Sequence, residues 1–225
     1  MMSSKTYPEP VASDDGLVPL ALDANKLKFS GPTVEIAPLE TEHVAMLWST
    51  TMMDNQPNMR LFRQVYGEDC DNPQSFASII EQGRSTATHI PLMVTSHGSN
   101  QPSNWLAICT PQKQGDSLLC AKFLENTLRG EAHLESSYLI NCHVFEDLHH
   151  DTIRVRQGSL PKDHPIRYER SLLASFRRTL LVPEESEISD LFLVTRHNWL
   201  ATKVTTAAWV GVDVAEHKER RGLSM

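Results

Sequence analysis

The sequence predicts an α/β fold, a mixed twisted sheet flanked by helices. Three observations carry that prediction. Apolar runs at Ile90–Thr95, Trp105–Thr110 and Leu118–Leu124 are separated by turn-rich segments and read as an antiparallel meander. The segment His133–Leu148 then repeats Leu134, Tyr138, Cys142, Phe145 and Leu148 at three- and four-residue spacing, which is the buried stripe of a helix. Thr152–Arg156 follows as a strand, so the chain passes from strand to helix to strand, and a parallel pairing would carry a right-handed crossover.

The remaining elements follow in chain order. Residues 1–28 are polar and broken by Pro8, Pro10 and Pro19, and read as a flexible or wrapping leader. Gly31–Pro38 alternates Val34 and Ile36 and reads as a strand stopped by proline. Thr41 reads as the cap of a helix carrying Val44, Leu47 and Trp48. A connection rich in Met and Asn, Met52 to Pro57, leads to a short helix through Leu61, Phe62 and Val65. Asn72-Pro73 supplies a cap and a first-turn proline for a helix burying Phe76, Ile79 and Ile80. Loop chemistry fills Ser96–Asn104, and Gln114-Gly115-Asp116 makes the next turn. Beyond the central helix, Pro165 opens a helix with Leu172, Leu173 and Phe176 inward. Leu180–Val182 and Asp190–Thr195 read as strands, and a closing helix spans Asn198–Trp209. The domain expectation is a leader at 1–28, one domain at 29–210 and a tail at 211–225.

Composition narrows the function classes. The chain has 225 residues and a net charge of −7, which argues against a nucleic-acid partner, because phosphate binding needs a concentrated basic surface. Its one basic cluster, Lys218 to Arg221, lies near the end and reads as a solvated tail. No apolar run approaches the about 18 residues of a membrane span, and no signal-like segment opens the chain, so no membrane partner and a cytoplasmic location are expected. Cys70, Cys109, Cys120 and Cys142 lack metal-ligand spacing and read as buried thiols, and no metal is expected.

The most telling motif is Thr127-Leu128-Arg129-Gly130-Glu131-Ala132, at the opening of the central helix. A basic residue and a glycine at a helix start place free backbone N–H groups beside a fixed positive charge, which is how proteins hold pyrophosphate.

The element order, together with Ser30-Gly31-x-x-Val34-x-Ile36-x-Pro38-Leu39, Glu42-His43, Leu47-Trp48, Glu135-x-x-Tyr138, Phe145-Glu146-Asp147-Leu148 and Asp190-x-Phe192 before Trp199, resembles the GNAT superfamily of acetyl-CoA-dependent acyltransferases. The similarity is to the branch of ribosomal-protein N-acetyltransferases and their small-molecule relatives, over about residues 30–210. The resemblance implies the GNAT fold and a Gln/Arg-x-x-Gly-x-Gly/Ala loop for the CoA pyrophosphate. Gly130 and Ala132 match it as cofactor-binding residues; Thr127 stands where Gln or Arg belongs, and Arg129 is one residue off register. Many members also carry a tyrosine five residues before a Gly-Phe pair to protonate the departing thiolate. The pair here is Ser175-Phe176 and the tyrosine position is Ser171, with Tyr168 a turn too early.

Other candidates have plainer readings beside them. His149-His150-Asp151 reads as a solvated helix exit rather than a metal or relay site. His143 is off the apolar stripe and reads as exposed or hydrogen-bonded. Asp163-His164-Pro165 is most simply a helix cap, and His164 is kept as a catalytic candidate because relatives place a CoA-contacting asparagine nearby. Glu125, at a strand end before the cofactor loop, could serve as a general base toward an amine. Met52, Met53, Phe62, Trp105 and Phe123 form the expected substrate-binding set, on the wall that lines the acceptor cleft in GNAT folds, with Arg129 and Tyr138 as catalytic hydrogen-bond donors.

Two departures at cofactor positions and an apolar wall favour a repurposed scaffold. The leading expectation is a biosynthetic enzyme using no cofactor, folding an apolar small molecule into a cyclisation or isomerisation such as an intramolecular cycloaddition. Orientation alone contributes roughly 7–11 kcal/mol to such chemistry at its best. The alternatives are an acetyl-CoA-dependent N-acetyltransferase of a small molecule and an inactive GNAT-like binding subunit. A homodimer is compatible with each.

Overall fold

A computed structural model describes residues 27–86, 88–99, 102–109, 118–124, 130–158, 177–178 and 189–211. The leader at 1–26, most of the tail, the Gln114–Asp116 turn, the helix opened by Pro165 and the Leu180–Val182 strand lie outside them.

The chain opens with a hairpin in place of the single strand expected. Strand β1 (Phe29–Ser30) turns at Gly31 into β2 (Val34–Pro38), and the Gly31 N–H donates to the Val34 carbonyl at 2.9 Å. A tight turn at Thr41–His43 leads into α1 (Val44–Leu47). Thr41 is inside that turn and not its cap; the capping position is Glu40, whose side chain makes no capping bond. The helix then widens into a π turn at Trp48–Met52. Helix α2 (Gln56–Tyr66) is capped by the Asn55 side chain, carries Pro57 in its first turn and ends at Gly67, whose φ of 77° suits a residue without Cβ. Helix α3 (Pro73–Ser85) starts as expected at Asn72-Pro73, with Asn72 and Ser75 capping reciprocally.

Strands β3 (His89–Ser96), β4 (Pro102–Cys109) and β5 (Leu118–Phe123) form the expected meander. Helix α4 (Gly130–Cys142) follows and widens into a second π turn at His143–Asp147. Strand β6 (Thr152–Gly158) returns parallel to β5. Next comes β7 (Arg177–Arg178), a strand the sequence does not mark. Strand β8 (Ser189–Thr195) pairs antiparallel with β6 and β7, and α5 (Arg196–Trp209) closes the described chain with Thr195 as its cap. The eight strands lie in the order β1-β2-β3-β4-β5-β6-β8-β7.

Strand alternation divides the core into two layers. On one face Val34, Ile36, Leu92, Leu106, Cys120, Ile153 and Val194 pack beneath α4 and α5. On the other, Trp105, Ala107, Ala121 and Phe123 pack beneath α1, α2 and α3. The α4 stripe is as expected, with Leu134, Tyr138, Cys142 and Phe145 buried and Leu148 at its margin. A half-buried ion pair joins α5 to the π turn: Lys203 Nζ lies 2.5 Å from Glu146 Oε1, which also accepts from the Trp199 indole at 3.3 Å. No described helix is long and apolar enough to cross a membrane.

One contact fixes α4 against the first hairpin. Glu135 is only 1% exposed, and its carboxylate accepts from the backbone N–H of Thr33 at 3.0 Å, from that of Val34 at 3.3 Å, and from the Thr33 hydroxyl. Gly31 makes the room: a Cβ there would stand 1.9 Å from Glu135 Oε1. Two motifs quoted separately from the sequence, Ser30-Gly31 and Glu135-x-x-Tyr138, are therefore halves of one contact.

Replacing Glu135 by Ala leaves buried donors without an acceptor, and the expected loss is about 2–3 kcal/mol of unfolding free energy in urea titrations. Gly31→Ala displaces the same carboxylate and is expected to cost about as much. The double variant should then lose little more than Glu135→Ala alone; additive losses would mean that the two residues act independently.

Candidate functional site

The parallel strands β5 and β6 pair from Leu118↔Ile153 to Lys122↔Gln157. That is the last rung between them, although β5 runs on through Phe123 and β6 through Gly158. The pairing ends there, while Phe123 still pairs with β4 and Gly158 with β8, and α4 begins at Gly130. Gly130 and Ala132 are its first and third residues. The first N–H groups of a helix have no partner inside it and carry the positive end of its dipole. Thr127, Arg129 and Glu125 lie outside the described residues, as do His164, Ser171 and Tyr168.

Beneath the first turns of α4 the interior is polar. Lys122 is 3% exposed and its ammonium donates to the Ser137 hydroxyl. The Ser136 and Ser137 hydroxyls donate to the His133 carbonyl at 2.9 and 2.8 Å. Asn104, Lys122, His133 and Ser136 line a cavity of about 10 Å³ together with Leu124 and Ala132. That volume holds about one water and no substrate. Lys122 is not among the residues expected at the site. Its signal was available: Leu118, Cys120 and Lys122 alternate on one face of a strand, so the lysine falls at an inward position.

The expected apolar substrate wall is core. Met52, Phe62, Trp105 and Phe123 have at most 1% of their surface exposed. Trp105 and Phe123 are directly opposed in the antiparallel register, and their rings stack at 3.8 Å and 3°. Phe62 meets both edge-on at 6.2 Å. Their apolar faces are spent on one another. Met53 alone of the set is open, at 53%. Tyr138 belongs to the opposite layer, packed 5.4 Å from Trp199, so the sheet separates it from the wall it was expected to serve.

Beside that aromatic cluster lies a buried amide network that the Met- and Asn-rich connection only hinted at. Asn58 Nδ2 donates to the Thr51 carbonyl at 2.7 Å and to the Leu124 carbonyl at 2.9 Å. Asn55 Nδ2 reaches the same Leu124 carbonyl at 3.4 Å, while its Oδ1 accepts from the Asn58 N–H at 3.2 Å. The Trp105 indole donates to the Thr51 hydroxyl at 3.1 Å.

His143 and His149 follow their plainer readings. His143 Nδ1 lies 2.8 Å from Asp147 Oδ2, with Phe29 against its ring at 5.0 Å. His149 is exposed and takes a left-handed φ of 56°. Burial holds the His150 imidazole below its ordinary pKa, opposed by the nearby Asp151 carboxylate.

No family model matches the sequence, and no curated protein does either. Solved structures match it well. A GCN5-related N-acetyltransferase from Brucella melitensis superposes with a TM-score of 0.60 at 17% identity, over 84% of this chain and 88% of that one. The apo form of FdhC, a nucleotide-linked sugar GNAT, gives 0.60 at 10% identity, over 82% of this chain and 99% of that one. RimJ of Mycobacterium smegmatis, solved with CoA-disulfide, gives 0.51 at 15% identity, over 76% of this chain and 93% of that one.

The chain has the GNAT fold. Within it, α4 starts at Gly130, inside the Thr127–Ala132 motif whose first three residues lie outside the described ones.

The four cysteines are free thiols. Burial pushes Cys70 and Cys109 up to about 12 and Cys120 up to about 11. At pH 8 about one in a thousand or fewer of these thiols is ionised, so thiol-specific disulfide reagents should label them slowly in the native protein and promptly in urea. Rapid native labelling of any of the three, located by peptide mapping, would contradict the burial.

Proposed function

We propose that this protein is an acetyl-CoA-dependent N-acetyltransferase. The observation that carries the proposal is the end of the β5–β6 ladder at Lys122↔Gln157, followed by an α4 start at a residue without a side chain, Gly130. This arrangement suits coenzyme A: strand edges released from the ladder can pair with an extended arm, and a helix N-terminus accepts a pyrophosphate. The backbone N–H groups at Gly130 and Ala132 would hold the phosphates, while the cofactor supplies an acetyl group activated as a thioester. Glu125 or a water would take the proton from the attacking amine. The structural neighbours support the same reading, since their names include N-acetyltransferases and a RimJ carrying CoA-disulfide.

The cofactor-free cyclisation loses one of its supports. It drew on an apolar wall, and Met52, Phe62, Trp105 and Phe123 are packed against one another inside the domain. The same burial removes the argument for an apolar acceptor. Its other supports, the departures from the cofactor pattern at Thr127 and Ser171, lie outside the described residues. The acceptor is proposed here only as a primary amine.

Titration calorimetry with acetyl-CoA tests the proposal, with micromolar binding expected; absence of binding at millimolar ligand rejects it. Gly130→Asp places a carboxylate where the pyrophosphate would sit. It should weaken acetyl-CoA by about 10-fold or more while leaving the melting temperature unchanged or slightly raised, because an acidic residue suits a helix N-terminus.

A further inference from the structure

The buried amide network joins two segments that lie far apart in the chain. Leu124 stands past the end of β5 and past the last rung to β6, so its carbonyl is not part of that ladder. Asn58 and Asn55, reaching across from α2, take it instead. The second hydrogen of the same Asn58 amide goes to the carbonyl of Thr51, in the π turn that precedes the α1–α2 connection. Thr51 is itself held twice through its hydroxyl, which donates to the Leu47 carbonyl at 2.6 Å and accepts from the Trp105 indole. Past this anchored stretch the chain pushes out Met53 and Asp54, the latter in a left-handed conformation with φ of 58°. A buried side-chain amide with both hydrogens on main-chain carbonyls is costly to disturb, since the Thr51 carbonyl would lose this donor and the Leu124 carbonyl would keep only the longer bond from Asn55.

We infer that Asn58 is a positioning residue that couples the end of β5 to the connection between α1 and α2. It holds Leu124, just past β5, in register with the Thr51–Asn55 segment. A displacement of one segment therefore displaces the other, because one planar amide spans both. Asn55 reinforces the β5 side through its longer bond and fixes the start of α2 through its cap. The inference rests on the acetyl-CoA reading for its ligand measurement only; the mechanical link stands on the hydrogen bonds.

The test uses the full chain in four forms: wild type, Asn58→Asp, Asn55→Ala and Ile80→Val. Asn58→Asp keeps the shape, removes both donors and sets a carboxylate against two carbonyls. Ile80→Val trims the same buried layer without touching the network. Hydrogen–deuterium exchange on the free proteins should show peptides covering 48–55 and 124–133 both exchanging about tenfold faster in Asn58→Asp, less so in Asn55→Ala, and unchanged in Ile80→Val. Acetyl-CoA affinity by calorimetry should fall about tenfold in Asn58→Asp and hold in Ile80→Val. Faster exchange at 48–55 alone overturns the coupling, as does a uniform rise across all peptides. If Asn58→Asp fails to fold, Asn55→Ala carries the same comparison. Paired acceleration in a protein whose wild type binds no acetyl-CoA upholds the link and rejects the cofactor reading, so the two failures are distinct.

Discussion

The position of α4 depends on a carboxylate buried where a side chain would otherwise be. Glu135 faces the turn between β1 and β2 and takes up the N–H groups of Thr33 and Val34, in space left open by Gly31. A buried carboxylate is tolerated only where hydrogen bonds replace its water, and this turn supplies them from fixed backbone. The result is a lock in a defined register. A shift of α4 by one residue would turn the carboxylate away and strand both donors. Everything that hangs on α4 inherits that register, including its N-terminus near the end of β5 and its stripe against the sheet.

The two faces of the sheet are built on different principles. The α1–α3 side is an aromatic cluster in which Phe62, Phe76, Trp105 and Phe123 contact one another through stacked and edge-on geometry. The α4 side mixes apolar packing with buried and half-buried polar groups, namely Glu135, the Lys122–Ser137 pair and the Glu146–Lys203 pair. Such groups add less net stability than apolar packing would, and they act here by specifying which residues face each other. Both helical layers also contain a π turn, at Trp48–Met52 and His143–Asp147. The first presents the Thr51 carbonyl to Asn58, and the second presents Glu146 to α5.

Periodicity made most of this legible in advance. The meander, the α4 stripe and the Asn72-Pro73 start were readable because each is a local pattern with a local cause. What escaped was non-local or followed a competing rule. Thr41 looked like a cap, yet the chain enters a tight turn one residue earlier at Glu40. The Arg177–Arg178 strand is two residues long and owes its extended form to β8, so it has no periodicity of its own. In the candidate site the glycine at the helix start was visible, whereas the wall was misjudged. Met52, Phe62, Trp105 and Phe123 have the composition of a binding surface and of a core alike, and only the register that stacks Trp105 on Phe123 decides between them. Asn58 gave no signal, because its partners lie at Thr51 and Leu124 and a sequence does not show which carbonyl lacks a strand.

The order of the strands has a consequence for synthesis. From β1 to β6 each strand pairs with the one made just before it, so most of the sheet can assemble by successive additions as the chain leaves the ribosome. The lock on the first hairpin cannot. Thr33 waits for Glu135, 102 residues later, and closing so long a loop is entropically costly until the intervening strands have drawn its ends together. The earliest hairpin to be made is therefore among the last pieces to be fastened. Until α4 has been translated, Thr33 and Val34 remain donors in search of an acceptor, and a nascent chain stalled before that point carries its N-terminal hairpin unsecured.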